Sequence, residues 1–98
     1  MTTLHLVARS PARSDALEAC LRSMAPGDAL LLIEDGVYAA LAALPDPPAL
    51  PGDGACHALE EDVRARGLSE RLRSGVTLVD YSGFVELVTA HERTLSWP

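Results

Sequence analysis

Gly27-Asp28-Ala29-Leu30-Leu31-Leu32-Ile33-Glu34-Asp35-Gly36 is the stretch that decides the fold of this 98-residue chain. Its apolar run, Ala29 to Ile33, stands between two turn signals, Pro26-Gly27-Asp28 before it and Asp35-Gly36 after it. The run is too short for a helix between such signals, and it lacks the apolar and polar alternation of a half-exposed strand. It therefore reads as a strand buried on both faces, the centre of a parallel sheet covered by helices.

On its amino-terminal side, Thr3 to Ala8 is a second apolar strand, ended by Arg9-Ser10-Pro11, and Ser14 stands as the N-cap of a helix running to Ala25. Leu17, Cys20, Leu21 and Met24 form one stripe of that helix, with Asp15, Glu18, Arg22 and Ser23 elsewhere, as in an amphipathic surface helix. On the other side, a helix is expected over Val37–Leu44, then a loop from Pro45 to Gly54 rich in Pro and Gly. Ala55–Leu59 reads as a third strand, Glu60–Arg66 as a short helix ended by Gly67, Ser69–Arg73 as another helical turn, and Val76–Val79 as a fourth strand. Asp80 can cap a last helix, Ser82–His91, and Thr94–Trp97 makes a final edge strand. The alternation of strand and helix gives a single α/β domain over residues 1–98, a three-layer α/β/α arrangement with a mainly parallel sheet of about five strands. The Val37–Leu44 helix has no polar face, and in a chain this small a partner subunit is its expected cover.

Composition narrows the function. The formal charge is −6, and the eight cationic residues are all Arg, scattered without a continuous basic footprint, so direct nucleic-acid binding is not expected. The lack of Lys beside abundant Ala and Arg reads as the mark of a GC-rich genome. No run of roughly 18 apolar residues and no cleavable leader pattern is seen, so a cytoplasmic chain without a membrane segment is expected. Cys20 and Cys56 read as free thiols, since nothing in a small intracellular α/β unit calls for a bridge.

In open α/β sheets ligands bind beyond the carboxyl ends of the strands. Here those ends are Arg9-Ser10-Pro11, Glu34-Asp35-Gly36, Glu60-Glu61-Asp62 and Asp80-Tyr81-Ser82. None is a Gly-rich phosphate cradle, so no nucleotide cofactor is expected. Asp35 and Asp80 stand where helix N-caps are needed, and Glu60-Glu61-Asp62 lies in a first helical turn that favours negative charge. No metal is expected: Cys56 and His57 point to opposite faces of a strand, and His5 and His57, expected to approach across the sheet, have no third ligand at recognisable spacing. His91 reads as a partner of a helix dipole, and Ser82 lacks the nucleophile-elbow turn. Cys20 is the one nucleophile left, and its place in the apolar stripe predicts a buried, slow thiol where a sulfur carrier needs an accessible thiolate.

Five segments in order resemble one family: Thr3-Leu4-His5 with Arg9-Ser10-Pro11; Gly27 to Val37; Asp62-Val63-Arg64-Ala65-Arg66-Gly67-Leu68; Val79-Asp80-Tyr81-Ser82-Gly83-Phe84-Val85; and a closing Trp97. End to end, the chain is similar to the DsrH/TusB family of sulfur-relay subunits. The resemblance implies a heterohexamer, two copies each of three homologous chains, with this chain beside TusC/DsrF-like and TusD/DsrE-like subunits. It implies passage of persulfide sulfur toward 2-thiouridine at the tRNA wobble position, or alternatively a place in the related complex of dissimilatory sulfur oxidation. The principal sulfur-carrying cysteine would belong to the TusD/DsrE-like subunit, and a TusE/DsrC-type carrier would receive the sulfur. Leu17-Glu18-Ala19-Cys20-Leu21 matches the cysteine-bearing helix of DsrH-type members, which makes Cys20 a candidate persulfide carrier against its reading as a buried structural thiol. An accessory subunit and a persulfide-bearing sulfurtransferase subunit are thus the two readings in play, ahead of an independent small-ligand domain.

Overall fold

β2 (Ala29–Leu32), buried at all four positions, is the middle strand of five. The computed structural model describes Met1 to Pro98, with β1 (Thr3–Val7), β3 (Cys56–Leu59), β4 (Thr77–Val79) and β5 (Arg93–Trp97) beside β2 in the order β4-β3-β2-β1-β5. Every pairing is parallel, with His5 opposite Leu30 and Leu95, and Leu31 opposite His57. The chain steps outward from β1 through β2 and β3 to β4, then crosses back to place β5 on the far side of β1.

Strand alternation sorts the side chains onto two unequal faces. On one face, Val7, Leu30, Leu32, Cys56 and Ala58 pack with Leu17 and Cys20 of α1 (Ala16–Ser23) and Val63 of α2 (Glu60–Ala65). On the other, Leu4, Ala29 and Leu31 meet only Phe84 and Leu87 of α3 (Tyr81–Ala90), with Leu6, Ile33 and Val79 half-buried around them.

The segment expected as a Val37–Leu44 helix is instead a short 3₁₀ helix, Glu34–Ala40, after which Leu41 turns extended and bridges Leu72. Val37, Ala39 and Ala40 are wholly buried in the chain's own core. The apolar composition does demand burial, but the cover is the sheet and α2, not the partner subunit expected. The 3₁₀ helix lies tight over the carboxyl end of β1: Gly36 N–H donates to Ala8 O at 3.1 Å, and a Cβ at Gly36 would be driven into the Val7 carbonyl, so only glycine fits. Ser69–Arg73 is likewise not helical; it is a turn leading into the Leu72 bridge.

The helix starts divide. Asp80 caps α3, its Oδ1 accepting from Gly83 N–H at 2.8 Å. Asp35 does not cap: it lies within the first 3₁₀ turn, and its carboxylate pairs with Arg66 at 2.9 Å. Ser14 Oγ accepts from Ala16 N–H at 3.0 Å, one residue ahead of the observed cap position, Asp15.

Candidate functional site

The parallel pairing of β1 with both β2 and β5 brings His5, Asp28 and Trp97 together on the face beneath α1. His5 and Asp28 are buried. Trp97 Nε1–H donates to His5 Nδ1 at 3.0 Å, and the two rings stack with centroids 6.0 Å apart. Indole can only donate, so Nδ1 must accept, and the ring proton lies on Nε2, where it is donated to Asp28 Oδ2 at 2.9 Å. Asp28 also accepts from Thr3 N–H at 2.9 Å and Ala25 N–H at 3.0 Å. Burial pushes the Asp28 carboxyl up, but the hydrogen bonds from His5, Ala25 and Thr3 outweigh it and hold the group at about 2.

Cys20 lies in this same layer and is wholly buried. Burial first, and the charge of Asp28 second, push its thiol up to about 12. At pH 7 the thiolate is then roughly one part in 10⁵. His5 cannot act as its base, because one ring nitrogen accepts from Trp97 and the other donates to Asp28. A cysteine, a histidine and an aspartate therefore share one layer without forming a nucleophilic relay. The network's geometry is that of an anchor: it ties the last strand and the β2 entry to β1.

The other expected residues are dispersed. Cys56 faces the larger core and is held at about 11, raised by burial and only partly lowered by Arg73. His57 faces the opposite side, and its pKa is lowered by burial and by the nearby His91. His5 and His57 consequently lie on different sheet faces, so they do not approach across the sheet as supposed. His91 uses Nδ1–H to donate to Leu87 O at 2.7 Å, at the carboxyl end of α3. Two of the strand-end carboxylates are engaged locally: Asp62 Oδ2 accepts from Glu34 N–H at 2.7 Å, which holds Glu34 in a left-handed conformation, φ 47°, and Asp35 pairs with Arg66, whereas Glu61 Oε1 is buried without a partner. A shallow cleft of about 390 Å³ remains beyond β1, β2 and β5, lined by Arg9, Ser10, Arg13, Glu34, Asp35 and Trp97. Sequence reasoning missed the Asp28–His5 pair. The only signal was the burial predicted for both flanking strands.

Residues 9–94 match the family model described as DsrH like protein. The chain belongs to the DsrH/TusB family. Among curated relatives it is 40% identical over 95 residues to Protein TusB of Pectobacterium parmentieri, spanning 96% of this chain and 99% of that one. It is 38% identical over 100 residues to Protein TusB of Escherichia coli strain K12, again over 96% of this chain and 99% of the relative. Among solved structures, the ychN protein of E. coli superposes with a TM-score of 0.73 at 18% identity, covering 99% of this chain and all of that one, which supports the fold alone. Protein Tm0979 of Thermotoga maritima gives a TM-score of 0.63 at 32% identity, over 92% of this chain and 94% of that one. No helix of this family member is long and apolar enough to cross a membrane.

Proposed function

We propose that this chain is an accessory subunit of a cytoplasmic sulfur-relay complex that passes persulfide sulfur toward 2-thiouridine at the tRNA wobble position. The near-full-length identity to TusB proteins carries the reading, and its coarse part, a sulfur-relay-related protein, follows from family membership. Its partners in this reading are the TusC/DsrF-like and TusD/DsrE-like subunits in a 2:2:2 heterohexamer, with a TusE/DsrC-type carrier receiving the sulfur.

Within the complex the role is structural, because the chemistry of Cys20 opposes a carrier role. Persulfide formation needs a thiolate to attack the donor's sulfane sulfur, and a buried thiol held at about 12 supplies almost none. Sulfur would travel on a partner's cysteine, with this chain completing the assembly. Deleting its gene should abolish wobble 2-thiouridine, measured by nucleoside mass spectrometry of bulk tRNA, and both wild type and Cys20→Ser should restore it. Restoration by wild type alone, with the Cys20→Ser chain folded and assembled, would make Cys20 the carrier. Unchanged thiolation in the deletion strain would remove the tRNA reading and favour the sulfur-oxidation complex, which the DsrH family match and the Cys20-bearing helix support.

A further inference from the structure

α3 has more apolar surface than its own sheet covers. Successive residues turn about 100° around a helix, so Phe84 and Leu87, which meet the sheet, leave Tyr81, Val85 and Val88 grouped on the adjoining flank. These three are 57%, 62% and 39% exposed. The same sheet face is bare over β5, where Thr94 and Ser96, in register with Leu4 and Leu6, are exposed. All-parallel sheets are ordinarily covered on both faces, and here one helix serves a face five strands wide.

The charge carried by α3 itself is of one sign. Glu86 is the only charged residue within α3, Asp80 caps its start, and no Arg or Lys occurs from 80 to 92, while Glu92, just beyond its end, pairs with the N-terminal ammonium at 3.6 Å. Two copies of this chain meeting through α3 would oppose carboxylate to carboxylate, on proteins each carrying a formal charge of −6.

We propose that the Tyr81–Val85–Val88 flank of α3 is the surface on which this chain docks a partner subunit whose contact face is apolar at its centre and rimmed by Arg or Lys. The proposal rests on the subunit reading above and adds to it the face used and the partner's chemistry. It replaces the Val37–Leu44 segment, whose first half the structure buries within the chain.

The test is co-purification of this chain with tagged TusC/DsrF-like and TusD/DsrE-like subunits from the same genome. Three variants are compared: Val85→Asp, Glu86→Arg, and Ala43→Asp on the exposed remainder of the segment first expected at the interface. Val85→Asp should cut recovery in the complex at least about tenfold, as charge at the desolvated centre of an interface does. The free chain's melting temperature should be unchanged, since Val85 is mostly exposed. Glu86→Arg, which leaves the apolar centre intact, should lower recovery several-fold at low salt, and Ala43→Asp should have no effect. Wild-type recovery of both α3 variants overturns the docking face, and loss with Ala43→Asp alone moves it. If wild type binds neither partner, the subunit reading fails instead. A dimer of the free chain that Val85→Asp dissociates would place a second copy there and overturn the choice of occupant.

Discussion

Replacing Asp28 by Asn should destabilise the fold at neutral pH and flatten its acid response. The carboxylate accepts from three donors, Thr3 N–H, Ala25 N–H and His5 Nε2–H. An amide has one acceptor oxygen, so either rotamer sets its NH₂ against at least one buried donor, at about 1–3 kcal/mol. With loss of the charge on the remaining bonds, the expected cost at pH 7 is about 2–4 kcal/mol. The pH dependence follows from the same bonds. The folded carboxyl lies at about 2 against an ordinary 3.8, so ionisation favours folding above the unfolded value, and that stabilisation disappears as pH falls through the folded one. It amounts to roughly 2 kcal/mol above pH 5 and roughly 1 kcal/mol at pH 3. Urea denaturation of wild type and Asp28→Asn across pH 7 to 3 measures both, and subtraction cancels the other carboxyls. The gap between the two proteins should shrink by about 1 kcal/mol on acidification. A constant gap would mean that Asp28 is not held in its ionised form by these bonds.

Three further outcomes follow from the same core. Trp97→Phe removes the indole donor to His5 Nδ1 and should cost about 1 kcal/mol, lowering the melting temperature by roughly 4–8 °C in calorimetry. Ala40→Arg places a cation in a site with no solvent exposure and should prevent folding of the isolated chain, costing at least about 3–5 kcal/mol; a folded monomer by circular dichroism would contradict the packing described. Cys20 should resist a maleimide at pH 7 in native protein and label in urea, read by intact mass, because burial withholds both access and thiolate.

Much of the fold was legible because burial on both faces leaves a compositional mark. Ala29–Ile33 could be read as the central strand since no half-exposed strand is built from such a run. The family resemblance was legible in the order of short segments, each weak alone. The apolar stretch after Gly36 was harder, because composition states that it must be buried but not by what. Its 3₁₀ winding comes from contacts no local pattern encodes: Gly36 against the Val7 carbonyl, and Leu41 drawn out to bridge Leu72. The anchor was out of reach for a similar reason. His5 meets Asp28 across 23 residues and Trp97 across 92, through a register that exists only once β1 has two parallel neighbours.

The unequal faces follow from how the helical segments are shared out over the sheet. A parallel sheet needs a helix for nearly every crossover, and a chain of 98 residues spends three of its helical segments, α1, the 3₁₀ helix and α2, on one face. Only α3 is left for the second, and it must also carry the chain from β4 across to β5. A domain of this length buries only roughly 60–65% of its unfolded surface. Cys20 falls on the closed face and the Tyr81–Val85–Val88 flank on the open one. The chain thus encloses its thiol and leaves apolar surface on the other face, an arrangement that agrees with the accessory role proposed above.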